Sequence, residues 1–290
     1  MTTGAPDFDL EIRPLSGALG AEIRGVDLAQ PLDGATFEAI HSAWLEHLIL
    51  LFRGQAMDDG DLVAFSRRFG ALDIAPPNEN GTRFVEGHPE ILVISNVVQD
   101  GTAIGSLGAG EAIWHSDMSY LAAPPTGSLL LALEVPDQGG DTGFCNLYQA
   151  LDALPADLRA QIAGQTIKHD ATTNSAGYLR EGAHAVTDVT RSPGASHPII
   201  RSHPESGRPV LFLGRRRNAY VDGLPLADSE ALLDTLWSHA TNPAFTWHHH
   251  WRKGDLLLWD NRAVLHRRDP FDAQARRIMH RTQIKGTAVV

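Results

Sequence analysis

The sequence predicts a mainly β fold with flanking helices, a sandwich or barrel of jelly-roll type, and three observations lead there. From residue 91 onward short apolar runs alternate with Gly, Pro and Asp punctuation, the texture of many short strands. Helical periodicity is confined to the first third and to two later interruptions. Hydrophobic residues are 43% and charged residues 20% of the 290 residues, so the chain can bury a large core and is neither disordered nor fibrous.

The elements follow in order. "FDLEIRPL" reads as a short strand and is followed by "GALGAEIRGVDL". Phe37, Ile40, Trp44, Leu45 and Leu48 then recur at spacings of three and four, one apolar face of a helix. "HLILLF" looks like a buried strand, and "DDGDLVAFSRRFG" a second helix closed by Gly70. Among the later runs, "ILVISNV", "GSLLLALEV", "TGFCNL", "DLLLWD", "AVLHRR" and "RRIMHRTQIKG" carry the strand pattern, and "SHPESGRPV" a hairpin turn. Helices interrupt at "YQALDALPADLRAQIAG" and at "LADSEALLDTLWSHATN", where Leu232, Leu233 and Leu236 share a face. No repeat, low-complexity tract or linker forces a boundary, so residues 1–290 are expected to form a single domain.

Composition excludes several classes of function. The single cysteine, Cys145, rules out an intrachain disulfide framework and multi-cysteine metal sites, so any metal must be held by histidine and carboxylate. A net charge of -11 repels phosphate backbones and argues against nucleic acid as a partner. No run approaches the roughly 18 apolar residues of a membrane span. "MTTGAPDFDLEIRPL" places acidic residues where a secretory signal would be basic and then apolar; a cytoplasmic location without membrane partners is expected. Helices outside the barrel leave room for a homo-oligomer, although no periodicity marks a face.

The chemistry begins at "AIWHSDMSYL". On an extended strand His115 and Asp117 project to one side while Ser116 faces away. That supplies two ligands of a 2-His-1-carboxylate face, which leaves three positions on an octahedral ferrous ion for a bidentate cosubstrate and dioxygen. A third ligand must come from the other histidines, 14 in all. "WHHHW" alternates Trp247, His249 and Trp251 against His248 and His250, which suits a half-buried strand better than a metal site. His184, His197, His203 and His239 read as structural. His266 is the better candidate, because it ends an apolar strand and precedes a second strand carrying Arg277 and Arg281. An arginine inside a barrel is costly unless it meets an anion, and its fork matches a carboxylate.

"WHSD" (114–117), "GGDTGFCN" (139–146), "WDNRAVLH" (259–266) and "RRIMHR" (276–281), in this order, resemble the taurine dioxygenase and dichlorophenoxyacetate dioxygenase family of iron(II), 2-oxoglutarate-dependent oxygenases. "GALGAEIRGVDLAQPL" and "FSRRFGAL" look like family segments too, so the resemblance spans nearly the whole chain. It implies a double-stranded β-helix (jelly roll, cupin-like) core. It also implies Fe(II) held by His115, Asp117 and His266, and 2-oxoglutarate held by Arg277 and Thr142. Dioxygen is consumed, and hydroxylation releases succinate and CO2. Arg281 matches an arginine that meets a substrate anion in the taurine enzyme; otherwise it serves the cosubstrate pocket or the fold.

The sequence departs from the taurine pattern where substrate is read: Ala75 stands in "FGALDIAPP" and Glu111 four residues before His115. "ISNV", "ALDALPADL" and "WDNRAVLHRR" look more like the aryloxyalkanoate-degrading branch, so a small anionic substrate, first an aryloxyalkanoate-like carboxylate, is expected. The alternative is a sulfonate or a sulfate ester. Arg281, Glu111, Tyr120 and Arg217 are the candidate substrate contacts. "GRRRNAY" is either a solvated basic run or a means for Arg215 or Arg217 to reach a substrate anion, and the glycine-rich stretch 100–112 either a lid or a surface loop. From other classes, a jelly-roll binding module or a metal hydrolase with the same three ligands would not need Arg277.

Overall fold

The protein, in a computed structural model, is described over residues 9–76, 85–110 and 112–288. Two antiparallel-rich sheets carry the fold, as the jelly-roll expectation requires. The larger has eight strands in the order Glu11–Pro14, Ala21–Arg24, Ile49–Phe52, Leu256–Asp260, Gly127–Glu134, Ile278–Ile284, Leu92–Ser95, Ser106–Leu107. The smaller has four: Thr246–His249, Thr142–Asn146, Val264–Arg268, Ala112–His115. The apolar runs read from sequence supply the central strands of both.

Runs such as "SLLLALE" lack alternation because both faces of the large sheet are covered. Leu129, Leu131, Leu256 and Leu258 pack with Ile40, Trp44, Leu62 and Phe65 of the two N-terminal helices. Their neighbours Leu130, Leu257 and Trp259 belong instead to the core with Phe144 and Leu265 of the small sheet. The helices themselves run Gly34–His47 and Asp59–Arg67. Asp33 caps the first through the Thr36 N–H, and Asp58 forms a reciprocal capping box with Asp61 on the second. The stretch read as one helix after residue 147 is two, Leu147–Asp152 and Ala156–Ile162. Ala153, Leu154 and Pro155 lie between them, and Pro155 cannot continue the first helix. The hairpin expected at "SHPESGRPV" pairs Ile200–Ser202 with Pro209–Leu211.

Stretch 100–112 is tied down in part. Ser106–Leu107 adds to the edge of the large sheet, and Gly105 lies so close to Ser95 that a Cβ there would come within 2.8 Å of it. Among the described residues no helix is long and apolar enough to cross a membrane.

The turn that carries the chain from the large sheet into the small one is anchored by a buried ion network. Asp260 accepts from Arg262 at 2.7 and 2.8 Å and from His203 at 3.0 Å; Arg262 also pairs with Glu205. Burial opposes ionisation of Asp260, but Arg262 and His203 outweigh it and hold the carboxyl well below its ordinary 3.8. A depressed carboxyl contributes stability that is fully present above its unfolded pKa and is lost as pH falls toward the folded value. Asp260→Ala is expected to cost about 3–5 kcal/mol at neutral pH, because it strands a buried guanidinium. Urea unfolding at pH 7 and at about pH 2.5, inside the window below 3.8, should show the difference between wild type and variant shrinking at the acid end.

Candidate active site

His115 and His266 face each other directly across the small sheet. Their rings lie 4.1 Å apart, centroid to centroid. Asp117 completes the group: its carboxylate oxygens stand 3.6 Å from His115 Nε2 and 3.9 Å from His266 Nε2. These separations are too long for hydrogen bonds. All three residues are buried, and one donor atom from each lies within 4.8 Å of the others.

The donor set fits a divalent ion. His115 Nδ1 lies 2.7 Å from the Ile113 carbonyl; donating there leaves the Nε2 lone pair free to ligate, the usual outer support of a metal-bound imidazole. Burial, with His115 and Arg281 close by, holds the His266 imidazole pKa well below 6.5, so it is neutral and able to ligate. Asp117 is penalised by burial, yet Arg281 and the two histidines keep its carboxyl well below its ordinary range. The carboxylate is therefore ionised.

The strand expected to carry both His115 and Asp117 ends at His115. Asp117 sits in the following turn, where Met118 has φ 47°. Ser116 does turn away, donating its hydroxyl to the Val264 carbonyl. The two ligand side chains thus converge through a held turn and not through strand alternation.

The group opens into a cavity lined by Thr142, Arg268, Arg277 and Arg281 on one hand and by Ile94, Leu130 and Trp259 on the other. Arg277 is only 2% exposed. Among the described residues its guanidinium has no ion pair, and burial pushes its pKa down to about 9. Thr142 accepts a 2.9 Å hydrogen bond from the Trp251 indole N–H, which leaves the hydroxyl hydrogen available to a ligand. Arg281 lies 3.1 Å from an Asp117 oxygen. Arg268 donates to the Gly110 carbonyl.

Other expected contacts fall elsewhere. Arg217 is exposed and donates to the Gly177 carbonyl at 2.9 Å, away from the cavity lining. Arg215 is the inward member of "GRRRNAY": it is buried, its backbone bridges to His115, and it donates to the Thr173 carbonyl. The third arginine, Arg216, pairs with Glu230 and Asp234. Tyr120 is half-buried, with the guanidinium carbons of Arg180 and Arg215 at 4.6 and 5.8 Å from its ring centre. Glu111 lies outside the described residues. In "WHHHW", His249 is buried against Asp255 at 3.0 Å, and none of its histidines joins the ligand group. Sequence reasoning missed Trp251 and Arg268. Arg268 lies two residues past His266 on the same strand, so alternation from a ligand was the available signal for it, whereas Trp251 lies beyond the strand that ends at His249 and had no such signal.

The family model described as "Taurine catabolism dioxygenase TauD, TfdA family" matches residues 11–283. The chain belongs to the TauD/TfdA family. A relative from Cupriavidus pinatubonensis, described as an alpha-ketoglutarate-dependent 2,4-dichlorophenoxyacetate dioxygenase, is 36% identical, covering 96% of this chain and 98% of its own. Among solved structures, a taurine dioxygenase from Burkholderia xenovorans superposes with a TM-score of 0.79 at 32% identity, covering 97% of this chain and 91% of its own. The structure of AAD-2 in complex with Mn(II) and N-oxalylglycine has a TM-score of 0.77 at 27% identity, covering 96% of this chain and 98% of its own. As a TauD/TfdA member the chain is a 2-oxoglutarate-dependent dioxygenase, with Fe(II) as its metal and dioxygen as the oxidant.

Proposed function

We propose that this TauD/TfdA enzyme hydroxylates a small organic anion, first among them an aryloxyalkanoate-like carboxylate, and that His115, Asp117 and His266 hold its iron. The observation that carries the reading is one cavity in which the imidazoles of His115 and His266, grouped with the Asp117 carboxylate, meet three arginines and an apolar wall. Bound through three side chains, iron would supply oxygen activation at the expense of 2-oxoglutarate, which leaves as succinate and CO2 while one oxygen atom enters the substrate C–H bond. If that carbon bears an ether oxygen, the hydroxylated product collapses to a carbonyl compound and a phenol.

The remaining work belongs to the protein. Arg277 clamps the distal carboxylate of 2-oxoglutarate in a water-poor pocket where a charge pair is strong. Thr142 donates its hydroxyl hydrogen to the same carboxylate, aimed there because Trp251 occupies its acceptor side. Arg281 receives the substrate anion, and Ile94, Leu130 and Trp259 pack its apolar body. The relative from Cupriavidus pinatubonensis supports a carboxylate with an aromatic body. The Burkholderia xenovorans structure keeps a sulfonate as the alternative. The expected setting is the cytoplasm.

Two substitutions test the division of labour. Arg281→Ala should lower kcat/KM for an aryloxyacetate by about 10- to 100-fold, the worth of a charge-assisted hydrogen bond. Arg217→Ala should leave it within about twofold, as expected of an exposed charge outside the cavity. Steady-state phenol release measures both, and equal losses would dismiss Arg281 as the selective contact. Trp251→Phe keeps the ring but frees the Thr142 hydroxyl, and should raise the KM for 2-oxoglutarate about 5-fold, near the 1 kcal/mol of one hydrogen bond. An unchanged KM would remove Trp251 from cosubstrate binding.

A further inference from the structure

Asn261 touches neither the cavity nor any donor atom of the ligand group, yet both ends of its amide are spent on one of the ligands. It is fully buried at 0% exposure. Its Oδ1 accepts the Asp117 backbone N–H at 2.7 Å, and its Nδ2 donates to the Asp117 carbonyl at 2.9 Å and to the Pro125 carbonyl at 3.0 Å. Its own N–H is fixed to the Thr126 carbonyl at 3.0 Å. No other side chain among the described residues bonds to the peptide groups of Asp117.

The turn needs such a grip. The ladder that orders His115 stops there, and the next residues leave it through a left-handed, non-glycine Met118 at φ 47°. A backbone in that region persists only where its surroundings over-determine it. Asn261 is in turn held from both sides, because its neighbours Asp260 and Arg262 are locked to each other, Asp260 also to His203 and Arg262 also to Glu205. Five residues further along the chain lies His266. One short connection therefore fixes the carboxylate ligand by hydrogen bonds and leads straight into the strand that delivers the second imidazole.

We infer that Asn261 is a positioning residue for the metal centre, holding the Asp117 peptide so that its carboxylate faces His115 and His266. The inference rests on the proposed reading of Asp117 as an iron ligand. A ligand set must be held to within about 0.5 Å by its supporting shell, and outer-shell partners of metal ligands are typically worth about 10–100-fold in affinity.

The test is Mn(II) binding to the metal-free protein, followed through the paramagnetic resonance signal of free Mn(II) up to saturation of the weakest variant. Asn261→Ala should loosen Mn(II) by about 10–100-fold. Leu50→Ala, a cavity in the core on the far face of the large sheet, should lose thermal stability and still bind within about twofold of wild type. In an Asp117→Ala background, Asn261→Ala should add less than about a further twofold, since its effect runs through Asp117. The anaerobic visible band of the Fe(II) and 2-oxoglutarate complex should move in Asn261→Ser and stay in place in Leu50→Ala. Wild-type affinity in Asn261→Ala, or an undiminished loss in the Asp117→Ala background, overturns the inference. Unchanged Mn(II) affinity in Asp117→Ala alone overturns instead the ligand reading beneath it. Should Asn261→Ala not fold, Asn261→Ser, which keeps a hydroxyl on the Asp117 peptide, carries the same comparisons.

Discussion

His266→Ala is expected to bind Fe(II) more than about 100-fold more weakly than wild type, since even outer-shell partners of metal ligands are worth up to that much. Turnover should fall to background. His249→Ala is the matched comparison: it too removes a buried imidazole, but one bonded to Asp255 at 3.0 Å and outside the ligand group. That variant should lose stability and keep its iron. An anaerobic titration with Fe(II) and 2-oxoglutarate, read as the visible charge-transfer band of the chelate, distinguishes them. A band that survives in His266→Ala and vanishes in His249→Ala would transfer the third ligand to the "WHHHW" run.

Arg277→Leu should separate stability from function. Burial pushes the Arg277 guanidinium from its ordinary value down to about 9, so the unfolded chain holds this proton more tightly than the folded one. The cost to the fold is full below the folded value and is relieved as pH rises through the interval above it. At neutral pH the ligand-free protein carries that cost, and leucine, shorter but of similar volume, removes it. The variant should therefore gain about 1–4 kcal/mol in urea unfolding. Its KM for 2-oxoglutarate should rise by at least about 100-fold, because a buried carboxylate loses a partner worth about 3–5 kcal/mol, while Fe(II) binding persists. Retained turnover at the wild-type KM would remove Arg277 as the clamp and pass that role to another arginine of the cavity, Arg268 or Arg281.

Most of the fold was legible because its information is local. "LILLF", "SLLLALE" and "LLLWD" lie in strands covered on both faces, and such strands read as continuous apolar runs. The helix of Ile40 and Trp44 announced itself by its periodicity. The candidate ligands were legible for a different reason: His115 and Asp117 lie one residue apart, and His266 follows the apolar run "AVL" and precedes two arginines. The substrate side was harder to read. Arg215 and Arg217 are equivalent in sequence, and which of them turns inward depends on the backbone bridge to His115.

The sequence by itself therefore determined the order of strands and helices, the family and the candidate donor residues, because short-range hydrophobic pattern and donor chemistry survive without a fold. The tertiary structure decided how those donors meet. It ended the strand at His115, placed Asp117 in a turn gripped by Asn261 from 144 residues away, and set the Trp251 indole against the Thr142 hydroxyl across 109. Hydrogen bonds over such separations depend on sheet register and packing, which no local pattern encodes.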